Sequence, residues 1–153
     1  TFEKLWELEK STALQEEKVR LHGALASFED ENLLKQTLER SLSNDIRVQD
    51  SIRVIVSVSS TQKGRALAWE FIRTNWNEID RRYGDGGFAL MRLVSLVSGF
   101  TTNERLEEVS QFFNDNPTPA AERTIKQAKE RIQLNISWLT KYQAEIEDFL
   151  TNK

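Results

Sequence analysis

Hydrophobic residues recur every three or four positions along most of the chain, and this spacing predicts amphipathic α-helices rather than strands. The first predicted helix covers residues 2–10. The last one follows Thr118, has Pro119 at its first position, where no hydrogen-bond donor is needed, and keeps its apolar stripe as far as Phe149. The segments between them that show the same spacing are 12–28, 34–42, 48–58, 61–83, 88–97 and 101–113.

Two helix starts carry a capping-box pattern. Thr12 is followed three residues later by Gln15, and Thr101 is followed three residues later by Glu104. In a capping box, the side chain of the first residue accepts a hydrogen bond from the backbone amide three residues later. The side chain of that later residue accepts one from the backbone amide of the first. We therefore predict that Thr12 and Thr101 are N-caps.

Residues 48–58 are ambiguous, because their β-branched side chains favour a strand. Both neighbouring segments are helical, and a single strand would have no partner for its backbone hydrogen bonds. We therefore predict a helix here as well. The glycine-rich stretch from Gly84 to Gly87 is predicted to stop the preceding helix, with left-handed backbone geometry.

The whole pattern predicts an all-α fold of about eight helices. Very short turns place consecutive helices side by side and antiparallel, and three helix pairs of similar proportions follow one another. Stacked pairs in a HEAT-like or armadillo-like superhelical array fit this pattern better than a four-helix bundle, which needs fewer and more equal helices. We treat residues 1–153 as a single helical domain.

Composition narrows the function classes. The chain has 153 residues, a net charge of −3 and no Cys, so disulfide scaffolds and Cys-based zinc sites are excluded. Basic residues are mixed with acidic ones along the sequence. We therefore expect neither a nucleic acid nor an anionic membrane as a partner. Its apolar runs are far shorter than the roughly 20 residues of a membrane span.

Catalytic motifs are missing from the sequence. It contains no HExxH, no Walker loop, no GxSxG and no GxGxxG. His22 is the only histidine and lacks a nucleophile in a suitable context, so we expect a partly buried or surface side chain. All four tryptophans lie at core spacing and are expected to pack in the interior. We therefore assign no catalytic residue and no metal ligand.

The start of the chain gives two further expectations. Helical spacing begins at Phe2, which is typical of a piece of a longer protein. No basic start followed by an apolar run is present, so no signal peptide is predicted. We expect the protein to be cytoplasmic.

Short motifs spread over nearly the whole chain resemble the C-terminal helical domain of zinc aminopeptidases. The family includes puromycin-sensitive aminopeptidase, endoplasmic-reticulum aminopeptidase and aminopeptidase N, and two of the motifs lean towards the puromycin-sensitive branch. Each motif is weak alone, whereas their order and spacing together are specific. They are Leu5-Trp6-Glu7-Leu8, Gln15-Glu16-Glu17-Lys18, Ile46-Arg47-Val48-Gln49-Asp50, Gly64-Arg65-Ala66-Leu67-Ala68-Trp69, Asn75-Trp76, Arg82-Tyr83-Gly84, Gly87-Phe88, Ser98-Gly99-Phe100, Phe112-Phe113, Ala121-Glu122-Arg123-Thr124-Ile125, Asn135 and Trp138-Leu139.

This resemblance implies a role without chemistry of its own. Members carry zinc on an HExxH helix and bind the substrate amine through a Gly-x-Met-x-Asn loop, and both elements are missing here. The resemblance implies a helical bowl that closes over the catalytic domain of the same polypeptide, limits peptide access and contacts longer substrates. Zinc is then expected in that catalytic domain and no cofactor in this chain. The alternative is an independent helical-repeat scaffold for a protein partner.

Two arginines are the candidates for contact with a peptide. Arg92 lies in a very apolar segment, so its charge needs either a partner or an exposed position. We expect an ion pair there, with peptide contact as the alternative. Arg47 is the weaker candidate, because it is placed to pair with Asp50 at a helix start.

Overall fold

The structure, a computed structural model, describes residues 1–152 and is all-α over that range, as predicted. Two 3-10 turns, Leu96–Gly99 and Pro119–Ala121, accompany the α-helices. The α-helices are α1 (Phe2–Ser11), α2 (Gln15–Ala26), α3 (Glu31–Ser41), α4 (Val48–Val58), α5 (Gln62–Thr74), α6 (Trp76–Tyr83), α7 (Phe88–Ser95), α8 (Asn103–Asp115) and α9 (Glu122–Thr151).

Consecutive helices alternate between two layers. Helices α2, α4, α7 and α9 pack side by side in one layer, which we call the open layer. Helices α1, α3, α5 and α8 form the other, which we call the paired layer, with α5 beside the turn that leads into α8. Contacts of α1 with α2, α2 with α3, α3 with α4, α4 with α5 and α8 with α9 connect the two layers, and the main hydrophobic core lies between them. The array of stacked helix pairs is confirmed.

Aromatic side chains fill one end of this core. Trp69 of α5 and Trp76 of α6 both lie against Phe112 and Phe113 of α8, with ring centroids 5.0–6.1 Å apart. Most of these pairs meet edge to face, the geometry that the charge distribution of aromatic rings favours. The cluster fixes α8 against α5 and α6.

The structure corrects three predicted helix ends. Residues 61–83 form two helices, because Asn75 ends α5 and its side chain donates to the Phe71 carbonyl over 2.8 Å. Helix α8 is capped by Thr102, whose hydroxyl accepts from the Arg105 amide, and not by Thr101. Helix α2 starts at Gln15, so Thr12 is no N-cap; it ends α1 and donates to Glu17.

Residues 48–58 are helical despite their β-branched side chains. Helix α4 buries Ile52, Val54, Ile55 and Val58, which recur at helical spacing. Burial against α2, α3, α5 and α7 outweighs the small helix penalty of branched side chains. The prediction of a helix here is confirmed.

Helix α9 has 30 residues, and only its first half is well buried. Trp138 is 53% exposed, so the expectation that all four tryptophans are in the core is wrong for this one. Ile146 and Phe149, predicted on the core side, are exposed as well. Among residues 1–152, no helix combines the length and hydrophobicity that crossing a bilayer requires.

Candidate functional site

Helix α7 carries Arg92 on a face that no other helix within residues 1–152 covers. Phe88, Met91, Arg92 and Ser95 are all exposed, and their spacing of three and four residues places them on one side of the helix. Phe88 is 86% exposed. The opposite side buries Leu90, Leu93 and Val94 against α4 and α9. The helix therefore presents a mixed aromatic and cationic surface to solvent.

The ion pair expected for Arg92 is not formed. Within residues 1–152 its guanidinium makes neither a hydrogen bond nor an ion pair, and the charge stays in water instead. Solvation stabilises the charge without a partner, so the apolar neighbours impose no desolvation cost. Arg92 remains available to a ligand or to another domain.

Arg47, in contrast, is engaged within the domain. It precedes the first residue of α4, and its Nε donates to Asp50 Oδ2 over 2.9 Å. Gln15 of α2 donates to the same oxygen over 2.9 Å. Asp50 is buried, so both donors are needed to satisfy its charge. The expected pairing of Arg47 with Asp50 is present, and Arg47 therefore has a structural role.

Local backbone geometry sets the start of α7. Gly86 and Gly87 have φ angles of +103° and +92°, a region that side-chain-bearing residues rarely adopt. The preceding helix ends at Gly84 as predicted, but Gly84 itself is right-handed, with a φ angle of −62°, so the predicted left-handed C-cap is wrong there and the positive φ angles come two and three residues later. At the other end, Asn135 of α9 donates to the Ser98 and Phe100 carbonyls over 2.9 and 3.0 Å. Asn135 thus fixes the carboxyl-terminal end of this segment beside α9.

Sequence reasoning missed a polar network in the paired layer. Glu108 of α8 accepts from Trp69 Nε1 over 3.0 Å and from Arg105 Nη1 over 2.7 Å, and it also binds Arg73. Burial alone raises the pKa of Glu108, but the hydrogen bonds from Arg105 and Trp69 and the charges of Arg105 and Arg73 outweigh it and hold that pKa below its ordinary value. Of these contacts, the sequence indicates only the one between Arg105 and Glu108, which are three residues apart on one helix.

His22 is fully buried, which corrects the expectation of a partly buried or surface side chain. Its Nε2 lies 3.1 Å from Glu9 Oε1, and Lys18 Nζ lies 3.2 Å from the same oxygen. A lysine cation beside the only histidine does not suit Zn²⁺, which requires three or four ligands in proteins. No group of three or more candidate ligands occurs among residues 1–152. These residues do not fit the zinc site of a peptidase.

Comparison with known proteins assigns the family. A sequence model described as "ERAP1-like C-terminal domain" matches residues 1–134. Aminopeptidase M1 of Arabidopsis thaliana is 34% identical over 145 residues, which are 94% of this chain and 16% of that protein. Human Aminopeptidase N is 32% identical over 139 residues, 88% of this chain and 14% of that protein. Human Thyrotropin-releasing hormone-degrading ectoenzyme is 34% identical over 155 residues, 97% of this chain and 14% of that protein.

The chain thus spans about one-sixth of the length of these relatives. Two of the relatives are aminopeptidases, which agrees with the family that the motifs of the chain resemble. Its helical array and the match over residues 1–134 agree with one another. The chain belongs to the family of ERAP1-like C-terminal domains of aminopeptidases.

Proposed function

We propose that this domain closes over the catalytic domain of a zinc aminopeptidase and shapes the access and length selection of peptide substrates. Zinc and the catalytic residues belong to the catalytic domain of the same polypeptide, which is the partner of this chain. The domain supplies binding contacts remote from the scissile bond. Such contacts raise turnover when they help to align the substrate.

The uncovered face of α7 is the observation that carries this proposal. An exposed Phe88 beside Met91 gives apolar contact area, and Arg92 gives a cation without a partner within residues 1–152. Aromatic residues, Met and Arg are enriched where proteins bind other polypeptides. A peptide that extends beyond the catalytic site offers both side chains and carboxylates to such a surface.

Arg92→Ala in the full-length enzyme tests the proposal. We expect kcat/KM for peptides of about ten residues to fall several-fold, because they reach α7, while a single-residue fluorogenic substrate is unaffected. Lys126→Ala is the matched control, because this cation is exposed on α9 and not on α7. It lies roughly 140° around the α9 axis from Arg131, an exposed arginine of the same helix. Equal losses on both substrates together with a lower melting temperature would show that Arg92 is structural.

The independent scaffold is the second candidate and predicts a different result. A scaffold whose open face binds a separate protein gives no dependence on peptide length when Arg92 is changed. The same experiment therefore separates the two functions.

The cytoplasmic location stays a prediction. One relative of this chain is named an ectoenzyme, so membership of the family does not fix the compartment. Fractionation of cells that express the tagged full-length protein measures it directly, and recovery with surface-labelled proteins would contradict the cytoplasmic assignment.

A further inference from the structure

The arginines of the domain fall into two groups. Those of α3, α5, α6 and α8 all have partners within the domain, such as Glu108 for Arg105 and Arg73 and the Leu42 carbonyl for Arg82. Other arginines have neither a hydrogen bond nor an ion pair within residues 1–152, and all of them lie on helices of the open layer. They are Arg20, Arg53, Arg92, Arg123 and Arg131.

Four of these arginines are exposed on successive neighbouring helices of the open layer. Arg20, Arg53 and Arg92 are exposed near the middle of α2, α4 and α7, and Arg131 is exposed on the half of α9 that packs beside α7. Helices α4 and α7 are covered by neighbours in their own layer and by the core, so their exposed residues face outward. We call these four residues the arginine row. Neighbouring helices pack about 8–10 Å apart, which sets the spacing along the row.

The surroundings of the row leave its charge largely unbalanced. Residues one turn away from Arg92 and Arg131 include no acid. The acid one turn before Arg53 is Asp50, which is buried and already binds Arg47. Arg20 has Glu16 and Glu17 one turn away, and Glu130 directly precedes Arg131. None of these acids is within ion-pair distance of its arginine in residues 1–152. A row of free cations on one side of an otherwise mixed surface attracts an anionic ligand.

We propose that the arginine row binds an acidic segment of the peptide substrate, downstream of the residue that is cleaved. This proposal rests on the proposed function and names the substrate class for it. A peptide in the polyproline II conformation advances about 3.1 Å per residue and makes one turn every three residues. Carboxylates three residues apart therefore lie on one face of the peptide, about 9 Å apart, which matches arginines on neighbouring helices. Each arginine can bind a carboxylate through two hydrogen bonds.

Apolar side chains beside the row favour a peptide over a nucleic acid or a membrane surface. Phe88 and Met91 are exposed on α7, and Leu134 and Trp138 are exposed on α9 within two turns of Arg131. These apolar side chains can contact the peptide side chains that lie between the carboxylates.

Charge reversal in the full-length enzyme tests this proposal. Three ten-residue peptides share one amino-terminal residue and carry either three Glu, three Gln or three Lys at three-residue intervals. We expect Arg53→Glu to lower the ratio of kcat/KM for the Glu peptide to that for the Gln peptide roughly tenfold, and to raise the ratio for the Lys peptide. The effect should shrink in 0.3 M salt, since exposed charges are screened over about 6 Å there. Lys126→Glu makes the same charge change away from the row and should alter neither ratio.

Other outcomes overturn the proposal without touching the proposed function. If Arg53→Glu leaves the Glu-to-Gln ratio unchanged while Arg92→Ala still discriminates by length, the domain contacts peptides but does not select acidic ones. If the ratio is unchanged and Arg53→Glu instead abolishes binding to phosphatidylserine vesicles or to a single-stranded 20-mer, the row serves a different anion. Failure of the length effect alone counts against the proposed function.

Discussion

The two layers are built from helices of similar amphipathic character but treat their charged groups differently. In the paired layer, Arg73 and Arg105 meet around Glu108, and Trp69 completes the set of donors. In the open layer, Arg53 and Arg92 meet no partner within residues 1–152. A surface whose charges are satisfied internally stabilises the fold, whereas one whose charges are left in water is free to bind. Under the proposed function, the paired layer stabilises the fold and the open layer binds the peptide.

The largest expected effect compares one tryptophan from each layer. Trp69 is 1% exposed and packs against Phe112 and Phe113, whereas Trp138 is half exposed. Trp69→Ala should lower the free energy of unfolding by about 3–5 kcal/mol, because it leaves a cavity and removes a donor from Glu108. Trp138→Ala should lower it by less than about 1 kcal/mol. Urea denaturation followed by circular dichroism measures both values.

A comparable loss from both substitutions would contradict the assignment. It would mean that α9 is fixed to the domain through Trp138 and that the open layer is as closed as the paired one. A Trp138→Phe variant, which keeps an aromatic ring, separates the lost aromatic packing from the gain in helix propensity that alanine brings.

A smaller effect is expected from the charge of Glu108. Its pKa is depressed in the folded state, so its contribution is fully present above the ordinary glutamate pKa of about 4.3 and is lost as pH falls through the lower folded value. Glu108→Gln should lower the free energy of unfolding by about 1 kcal/mol at pH 7. The deficit should shrink as the pH falls through the lowered folded-state pKa of Glu108, since the wild-type carboxylate then becomes protonated too.

Glu107→Gln is the control for that measurement. Glu107 is exposed on the same helix and has no ion pair within residues 1–152. Its substitution should therefore change neither the free energy of unfolding at pH 7 nor the dependence of that free energy on pH in the acid range. If the two variants lose stability in parallel at every pH, the network around Glu108 contributes nothing beyond general surface charge.

Local pattern was enough to predict most of the helices. The spacing in residues 48–58 identified α4 correctly against its β-branched composition, because burial on all sides of a helix decides such cases. The break at Asn75 was missed, since it depends on one side chain competing for the Phe71 carbonyl within an unbroken apolar stripe. The capping threonines differ from prediction because a box pattern does not show which neighbouring residue takes the extended conformation.

Tertiary relations were beyond the sequence. Trp138 has the same helical spacing as a core residue, and only the absence of a helix beside it leaves it exposed. His22 is buried because Glu9 of α1 supplies its partner, which its own helix does not reveal. Arg92 lies in an apolar segment, yet its own position faces outward. Helical periodicity is the same for an exposed arginine and for one in an ion pair, so the sequence could not distinguish the two. The family resemblance, in contrast, rested on motif order and was confirmed.

The most direct test of the open layer as a recognition surface is hydroxyl-radical labelling of the full-length enzyme with and without a long, non-cleavable peptide. Met91 and Phe88 are exposed beside Arg92, and both react readily in water. Leu8 of α1, also exposed, reports on the paired layer in the same sample. We predict that bound peptide lowers the labelling of Met91 and Phe88 several-fold and leaves Leu8 unchanged. Unchanged labelling of Met91 and Phe88 at saturating peptide would contradict the account.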